Sequence, residues 1–348
     1  MSGGVDSSVT AALLRQQGFA VTGFFMKLAQ PDFTQQLARV RQVAARLAVP
    51  LEVVDLSAEF ATTVLDYFCA TYFAGRTPNP CMVCNRTIKF GRLLEETLGR
   101  GLDGMATGHY ARLAMDEAGN PALRRGLDPS KDQSYFLARL GREQLARLRL
   151  PLGDQTKAEV YRLAAELGIT GVHGPESQDV CFLKDQEVSA FLQARARQTG
   201  LVPAAGPIVT RAGRRLGTHA GLYAYTIGQR RGLGIPDATP YYVIALDREK
   251  NAVVVGKKAD LLQTSLMVRE VNWLSGVAPA LPLTCQVKIR YRHRPATAEL
   301  AYGPAAGLLT VRFPLPQEAI TPGQFAVFYR EDLVLGSGEI MGAGAPVG

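Results

Sequence analysis

The chain has 348 residues, 47% hydrophobic and 20% charged, which is enough for two or three domains with buried cores. It has no run of about 18 apolar residues and no basic stretch followed by an apolar segment near its start, so we expect neither a membrane span nor a secretion signal. Five cysteines are too few, and odd in number, for a disulfide scaffold, which favours a cytoplasmic protein with reduced thiols. The net charge of +8 suits a polyanionic partner such as nucleic acid, although a basic protein without such a partner would carry the same charge.

The first half of the chain alternates helix-like and strand-like segments. Apolar spacing predicts helices over 7–17, 35–47, 59–73 and 88–98, and strands over 21–26, 51–56 and, briefly, 104–108. Thr156 and Glu159 form a capping box that opens a further helix, which ends before Gly168. This alternation predicts a parallel sheet with helices on both faces.

After residue 198 the pattern changes to short segments separated by glycine and proline. Predicted strands cover 241–246, 252–255, 284–291, 308–313 and 326–329, which is typical of small β-barrels. We therefore predict an α/β domain over 1–198, a small central domain over 199–265 and a C-terminal β-barrel over 266–348.

A basic cluster with an aromatic residue inside it lies in the last predicted domain. Arg290, Arg292, His293 and Arg294 surround Tyr291. Such a cluster suits phosphate contacts and base stacking on RNA. An edge strand protected by charge would have a similar sequence, and this alternative stays open.

The chain opens with the stretch MSGGVDSS, which leads into a helix. Paired glycines let the backbone approach a ligand closely, serines add hydroxyl donors, and a helix N-terminus offers free N–H groups, so the stretch suits a phosphate. A plain loop in which Asp6 or Ser7 caps the helix is the alternative.

The residues SGGVDSS resemble the PP-loop of ATP pyrophosphatases, and no Gly-Lys-Ser/Thr follows as it would in a Walker A motif. The resemblance implies that ATP, as its Mg²⁺ complex, adenylates a carbonyl oxygen. In that superfamily the loop follows a first β-strand, whereas here the chain begins on the loop. We therefore expect an upstream segment, because a missing central strand would leave its neighbours with unpaired backbone groups.

Three cysteines are candidates for chemistry: Cys81 and Cys84 in NPCMVCNR, and Cys181 in SQDVCFL. A structural zinc site usually has four ligands, and a second Cys-x-x-Cys pair is absent. An iron–sulfur cluster on three thiolates stays open. Cys69 and Cys285 lie in apolar sequence and are predicted to be core residues.

Seven blocks in order along the chain resemble the tRNA-specific 2-thiouridylase family: TPNPCMVCNRTIKF, ATGHYARL, RGLDPSKDQSYFL, SQDVCFL, YTIGQRRGLGI, VKIRYRHRP and TPGQFAVFY. The resemblance implies a sulfurtransferase that adenylates the 2-carbonyl of the wobble uridine of tRNA and replaces its oxygen with sulfur, releasing AMP and pyrophosphate. The sulfur would come as a persulfide from a cysteine desulfurase or a relay protein. The C-terminal barrel would contact tRNA.

The same resemblance assigns roles to single residues. Cys84 matches the nucleophile, and Cys181 matches the cysteine that carries the persulfide and forms a transient disulfide with Cys84. Cys81 stands where some members have aspartate, so we expect an accessory role. The ATP contacts would be Met1, Ser2, Gly3, Gly4, Val5, Asp6, Ser7, Met26 and Gly108; the target-base contacts Asn79, Pro80 and Cys81; and the tRNA contacts His109, Lys131, Asp132, Gln133, Arg290, Tyr291 and Gln324.

Alternatives remain for several of these residues. Arg86 and Lys89 are close to Cys84 in sequence and would lower its pKa, whereas a buried structural thiol there would be inert. His109 could be a core histidine, and Lys131 with Asp132 a solvated turn. A PP-loop ligase that amidates a carboxylate, or a tRNA-binding protein without catalysis, would share parts of the sequence pattern.

Overall fold

The computed structural model describes residues 1–169, 180–183, 186–200 and 203–343. The first three residues of the SQDVCFL block and the last five residues of the predicted third domain lie outside the described residues. In the described part of the chain, no helix combines the length and the apolar character that crossing a membrane requires.

The α-helices of the described residues lie within the first 198 positions. They are α1 Val5–Gln16, α2 Phe33–Arg46, α3 Ser57–Phe60, α4 Asp66–Phe73, α5 Pro80–Cys84, α6 Leu93–Gly99, α7 Ser134–Leu137, α8 Arg142–Ala146, α9 Lys157–Glu166 and α10 Val188–Gln198. Two π-helical segments, Ala61–Leu65 and Asn85–Arg92, join α3 to α4 and α5 to α6, and short 3₁₀ turns cover Leu222–Ala224 and Lys258–Leu261.

Most strands lie in the second half. They are β1 Gly23–Lys27, β2 Leu51–Asp55, β3 Met105–Ala106, β4 Ala111–Met115, β5 Pro121–Arg125, β6 Leu148–Arg149, β7 Gly206–Thr210, β8 Arg215–His219, β9 Tyr242–Asp247, β10 Ala252–Gly256, β11 Leu262–Trp273, β12 Leu283–Lys288, β13 Ala296–Tyr302, β14 Leu309–Glu318, β15 Phe325–Arg330 and β16 Leu333–Ala343.

The parallel strands of the first domain form two separate pairs. β1 runs parallel to β2, and β3 runs parallel to β6. Among the described residues these pairs do not join, so the prediction of one parallel sheet is corrected to two parallel ladders. Helices α1 and α9 pack together and bury Val9, Ala12 and Val160 in one apolar cluster.

The helix that carries the CxxC motif is longer than predicted. It begins at Pro80, not at 88, and continues through the π-helical Asn85–Arg92 into α6. Asn79 provides the cap, since its Oδ1 accepts a hydrogen bond from the Met82 N–H at 3.2 Å, and Pro80 fits the first helical position because it has no N–H to satisfy.

The C-terminal strands close into a six-stranded antiparallel barrel in the order β11-β14-β13-β12-β15-β16, with β16 returning to β11. Alternate residues such as Val311, Phe328 and Ile340 fill its core. The hairpin β4–β5 of the first domain adds to the outside of β16. The first domain and the barrel therefore share a sheet and a hydrophobic core that includes Tyr135 and Val327.

The central segment forms a separate four-stranded sheet in the order β8-β7-β10-β9. β7 and β10 are parallel, and the outer pairs are antiparallel. Cys69 and Cys285 are buried in apolar clusters, as predicted.

Candidate active site

A cavity of about 2820 Å³ opens between the α/β domain and the barrel. Most of the predicted site residues line it: Met1, Ser2, Gly4, Val5, Asp6, Ser7, Met26, Asn79, Pro80, Cys81, Cys84, Gly108, His109, Lys131, Asp132, Gln133, Cys181, Tyr291 and Gln324. Gly3 and Arg290 are not part of its wall. The glycine-rich start and the three candidate thiols thus share one solvent-filled space.

The glycine-rich start forms a turn at the N-terminus of α1. Gly3 has a φ of +75°, and a Cβ there would lie 3.2 Å from Val40 Cγ2, so only glycine fits without strain. Ser7 Oγ lies 3.2 Å from Ser2 Oγ and donates to the Gly4 carbonyl at 3.0 Å. No side chain caps the helix. The first turn of α1 lines the cavity and has no capping side chain, which suits an anion.

Asp6 is held from two sides and does not cap α1. Its carboxylate accepts a hydrogen bond from the Tyr110 hydroxyl at 2.8 Å and forms a salt bridge with Lys157 Nζ at 2.8 Å. The Lys157 side chain is 11% exposed. Gly108 lies against Asp6, and a Cβ on Gly108 would come within 2.9 Å of Asp6 atoms. The ATGHY block thus needs its glycine so that it can pack on the N-terminal loop.

The segment before Cys81 is tied to the barrel. Gln324 Nε2 donates to the carbonyls of Thr77 at 3.0 Å and Pro78 at 2.9 Å, and the Thr77 N–H donates to the Pro322 carbonyl at 2.8 Å. Gln324 therefore fixes the loop that leads into the Asn79 cap. Its predicted contact with tRNA stays a prediction.

Cys181 lies on a turn whose next residues are anchored in the first domain. Phe182 is 7% exposed, and its ring centroid lies 5.1 Å from that of Phe68 and 5.8 Å from that of Phe60. This packing holds the Cys181 thiol at the cavity surface, where the residue is exposed. The fold thus brings Cys181 to the same cavity as Cys84.

The surroundings of the three thiols favour their protonated forms. Desolvation by the cavity walls raises the pKa of Cys84 to about 12 and that of Cys81 to about 11, and it also raises the pKa of Cys181, although Cys81 and Cys181 keep exposed surface. The expectation that nearby cations lower the pKa of Cys84 holds for Lys89, whose charge acts in that direction, whereas Arg86 has no such effect. Desolvation is the larger effect, so the net shift of the Cys84 pKa is upward.

Lys89 is the cation that acts on these thiols. Its charge opposes the rise in pKa at Cys81, Cys84 and Cys181. It follows Cys84 by five residues, which is one turn in a π-helix, so both lie on one side. Among the described residues, no carboxylate lies within ion-pair distance of Lys89. Arg86 is exposed.

His109 is neutral. Burial and the charge of Lys89 hold the pKa of His109 well below its usual value. Its Nδ1 lies 2.8 Å from Thr107 Oγ1, and its ring lies 5.7 Å from that of Phe90. It is half-buried and lines the same cavity as the thiols.

Some of the predicted tRNA contacts have internal partners. Asp132 is buried and accepts hydrogen bonds from the Gly126 and Ser134 N–H groups at 3.1 and 3.0 Å, so it shapes its loop and is no solvated turn residue. Gln133 Oε1 accepts from the Tyr110 N–H at 3.0 Å. Arg290 turns into the barrel, where its guanidinium donates to the carbonyls of Glu318 and Ala319.

In the ranges that the structure describes, no group of three or more His, Cys, Asp or Glu side chains is arranged to hold a metal ion. Tyr110 and Lys157, which hold Asp6, were not predicted from the sequence. The capping box placed Lys157 on a helix, but nothing in the sequence connects it with Asp6, 151 positions earlier.

Comparison with known proteins agrees with this geometry. Residues 1–185 match the family model described as tRNA methyl transferase HUP domain, residues 191–257 the tRNA methyl transferase PRC-barrel domain, and residues 263–340 the aminomethyltransferase beta-barrel domain. Proteins named tRNA-specific 2-thiouridylase MnmA match over 98% of this chain. They include those of Desulfotalea psychrophila (46% identical, 97% of its length), Magnetococcus marinus (45%, 97%) and Heliobacterium modesticaldum (44%, 91%).

The chain belongs to the MnmA family. The resemblance to 2-thiouridylases is confirmed, and so is the fold class: an α/β PP-loop domain, a small central domain and a C-terminal β-barrel. The matched ranges follow the first domain, the four-stranded central sheet and the six-stranded barrel in that order.

Proposed function

We propose that this protein is a tRNA sulfurtransferase that converts the wobble uridine of tRNA to 2-thiouridine. The observation that carries the proposal is the single cavity shared by the PP-loop and the thiols of Cys84 and Cys181. A phosphate-binding helix end beside two thiols combines the groups needed to activate a carbonyl oxygen and to replace it with sulfur. The names of the MnmA relatives support the same reaction.

The first step is adenylation. ATP enters as its Mg²⁺ complex, with its phosphates at the α1 N-terminus and the stretch Met1–Ser7. Met26 and Gly108 line the same cavity. The uridine 2-oxygen attacks the α-phosphate, and pyrophosphate leaves. This step turns a poor leaving group into AMP, a good one. Lys157 and Tyr110 hold Asp6 and so keep the loop in place.

The second step transfers sulfur. Cys181 carries the sulfur as a persulfide. In one order its terminal sulfur attacks C2 of the uridine and displaces AMP, and Cys84 then attacks Cys181 Sγ, which breaks the S–S bond and frees the thiolated uridine. In the other order Cys84 first attacks Cys181 Sγ of the persulfide and frees hydrosulfide, which then attacks C2 and displaces AMP. In both orders AMP leaves and a Cys84–Cys181 disulfide remains, because two thiol electrons reduce the sulfane sulfur. A reductant must restore the thiols before the next turnover.

The surroundings of the thiols fit this division of work. Burial favours the thiol form of Cys84 in the resting cavity. Because the thiolate is the attacking form, Cys84 must lose its proton before it attacks. Lys89 stabilises the charge when Cys84 loses its proton. Asn79, Pro80 and Cys81 border the target base, and His109 offers a neutral hydrogen-bonding group near it. Cys81 is an accessory thiol.

The remaining partners follow from the chemistry. The target base must leave the anticodon stack to reach a cavity of this depth, so the substrate is a flipped uridine. Cys181 is exposed on its turn, which suits loading by a cysteine desulfurase or a sulfur-relay protein in the cytosol. Two of the matched family models carry the words methyl transferase, but paired thiols beside a PP-loop favour thiolation.

The test is nucleoside mass spectrometry of unmodified tRNA incubated with the protein, Mg-ATP, a desulfurase, cysteine and a reductant. We expect 2-thiouridine with one pyrophosphate released per thiolated tRNA, and no 2-thiouridine with Cys84→Ser or Cys181→Ser. If both variants thiolate tRNA like the parent, the proposal is wrong. A ligase would release pyrophosphate independently of Cys181, and a binding protein would release none.

A further inference from the structure

An aromatic pair that the reaction does not use lies in the wall of the same cavity. The rings of Phe136 and Tyr291 have centroids 4.4 Å apart and an interplanar angle of 37°. Both side chains are half-buried and line the cavity together with the thiols. The neighbouring Tyr135, in contrast, is a core residue with 0% exposure. The Phe136 and Tyr291 rings therefore keep surface that a ligand in the cavity can contact.

The segment that carries Phe136 is bonded to the helix of the nucleophile. The Phe136 carbonyl accepts a hydrogen bond from Asn85 Nδ2 at 3.1 Å, and Asn85 follows Cys84 in the chain. On the other side, the Tyr135 hydroxyl donates to the Phe325 carbonyl of the barrel at 2.9 Å. These bonds tie the backbone of Phe136 to the helix that carries Cys84, and the neighbouring Tyr135 side chain to strand β15.

Basic side chains flank the pair. Lys288 Nζ lies 5.4 Å from the centroid of the Tyr291 ring and 5.8 Å from that of Tyr135. Arg292 and Arg294 are exposed and line the same cavity. An aromatic surface with cations beside it is the arrangement that single-stranded nucleic acid requires, since bases stack on rings and phosphates meet the cations.

A flipped target base creates the need for such a surface. When one nucleotide leaves the stack, its neighbours lose a stacking partner, and an aromatic side chain can replace that partner. Because the thiols and the aromatic pair line one cavity, a nucleotide adjacent to the base at Cys84 is the part of the RNA that the pair can meet.

We propose that Phe136 and Tyr291 form a stacking site for a nucleobase next to the target uridine, with Lys288, Arg292 and Arg294 facing the flanking phosphates. This inference rests on the proposed function. It adds Phe136 and Lys288 as residues that position the RNA, and it gives Tyr291 a defined contact. Stacking reads the flat face of a base, so the site tolerates different bases there.

The experiment uses anticodon stem-loop RNA with 2-aminopurine on either side of the target uridine, because stacking quenches this fluorescent base. We expect one of the two probes to stay dim in the parent complex and to brighten in the complex with Phe136→Leu. Leucine keeps apolar volume but lacks a ring face, so RNA affinity should fall on the order of tenfold. Phe136→Tyr should restore both signals.

Tyr302→Leu is the matched control, because Tyr302 is a 73% exposed aromatic of the barrel outside the cavity wall. It should bind and quench like the parent. If Phe136→Leu disturbs folding, Tyr291→Leu, on the loop after β12, makes the same test. Parent-like quenching and affinity in both leucine variants would overturn the stacking site. Failure of the proposed function would look different: the parent would form no 2-thiouridine, whatever the probes report.

Discussion

The two cysteines that we place in sulfur transfer are held in different ways. Cys84 lies on a helix whose Asn79 cap follows a loop that is hydrogen-bonded to Gln324 of the barrel. Cys181 lies on a turn that is held by the Phe182 ring in an aromatic cluster of the first domain. Polar links between domains fix one thiol, and apolar packing within one domain fixes the other.

This difference fits two separate tasks. A nucleophile must be placed against the RNA, and we predict that the barrel contacts the same RNA, which would explain why the position of Cys84 depends on the barrel. A sulfur carrier must be loaded by another protein, so its thiol is exposed and its anchor lies behind it. We infer that the Gln324 hydrogen bonds that position Cys84 and the Phe182 packing that positions Cys181 can be weakened independently. The following changes test this inference.

Removing the anchor of Cys181 should have the largest effect. Phe182→Ala leaves a cavity among Phe60, Phe68 and Phe191 and should lower the free energy of unfolding by about 3–5 kcal/mol in urea titrations. Phe182→Leu should cost less. In the folded protein we expect altered alkylation of Cys181 and unchanged alkylation of Cys84, measured by mass spectrometry of each thiol. Equal changes at both thiols would show that the supports are coupled.

Removing the barrel link should affect Cys84 alone. Gln324→Glu keeps the shape but cannot donate to the Thr77 and Pro78 carbonyls, which would cost about 1–3 kcal/mol. We expect kcat for thiolation to fall about tenfold while persulfide loading of Cys181 is unchanged. Gln286→Glu is the matched control, because Gln286 is an exposed barrel residue whose oxygen accepts from Arg125. Slower loading of Cys181 in Gln324→Glu would contradict the separation.

Removing the Lys89 cation should have a smaller effect than the two changes above, and this effect should appear in the pKa of Cys84. Lys89 lowers the pKa of Cys84 against the effect of burial, so Lys89→Met should raise that pKa further. At a fixed pH the rate of iodoacetamide alkylation should fall about three- to tenfold, since one pKa unit is a factor of ten in thiolate. Lys89→Arg should retain most of the rate. Arg86→Met, on the exposed side of the same helix, should alkylate like the parent, and an equal fall in this variant would argue against Lys89.

The smallest effect concerns stability at high pH. Burial raises the pKa of Cys84 to about 12 and that of Cys81 to about 11, from 9.0. Because the folded pKa lies above the unfolded one, the neutral thiols contribute stability that is complete below pH 9 and is lost between pH 9 and 12. The free energy of unfolding should therefore fall less steeply over that window in a Cys81→Ser, Cys84→Ser double variant. If the free energy of unfolding falls equally steeply with pH in the parent and in the double variant, the raised pKa values of these two thiols are contradicted.

The local parts of the fold were predictable from the sequence. The capping box at Thr156 and Glu159 is formed. The Glu159 N–H donates to Thr156 Oγ1 at 3.3 Å, and the Glu159 carboxylate accepts a hydrogen bond from the Thr156 N–H at 2.7 Å. The paired glycines of the N-terminal loop were predicted to free its backbone, and Gly3 has a φ of +75° that favours glycine. Local chemistry decides these features, so a single sequence contains them.

The non-local parts were not predictable. Hairpin β4–β5 joins the barrel through β16, and the partners of Arg290 and Gln324 lie on other elements, which no local pattern reveals. The early start of the Pro80 helix was missed because Pro and Asn also favour turns. The pKa of Cys84 was misjudged because neighbours in sequence suggested a cation, whereas burial is set by the fold.

The most direct test of the account is a single turnover without reductant. Protein loaded with a persulfide on Cys181 is mixed with Mg-ATP and unmodified tRNA, and then quenched and digested for mass spectrometry. We predict one 2-thiouridine and one Cys84–Cys181 disulfide per active molecule, with Cys81 still free. Continued formation of 2-thiouridine without that disulfide would contradict the central claim that the two remote cysteines complete one sulfur transfer together.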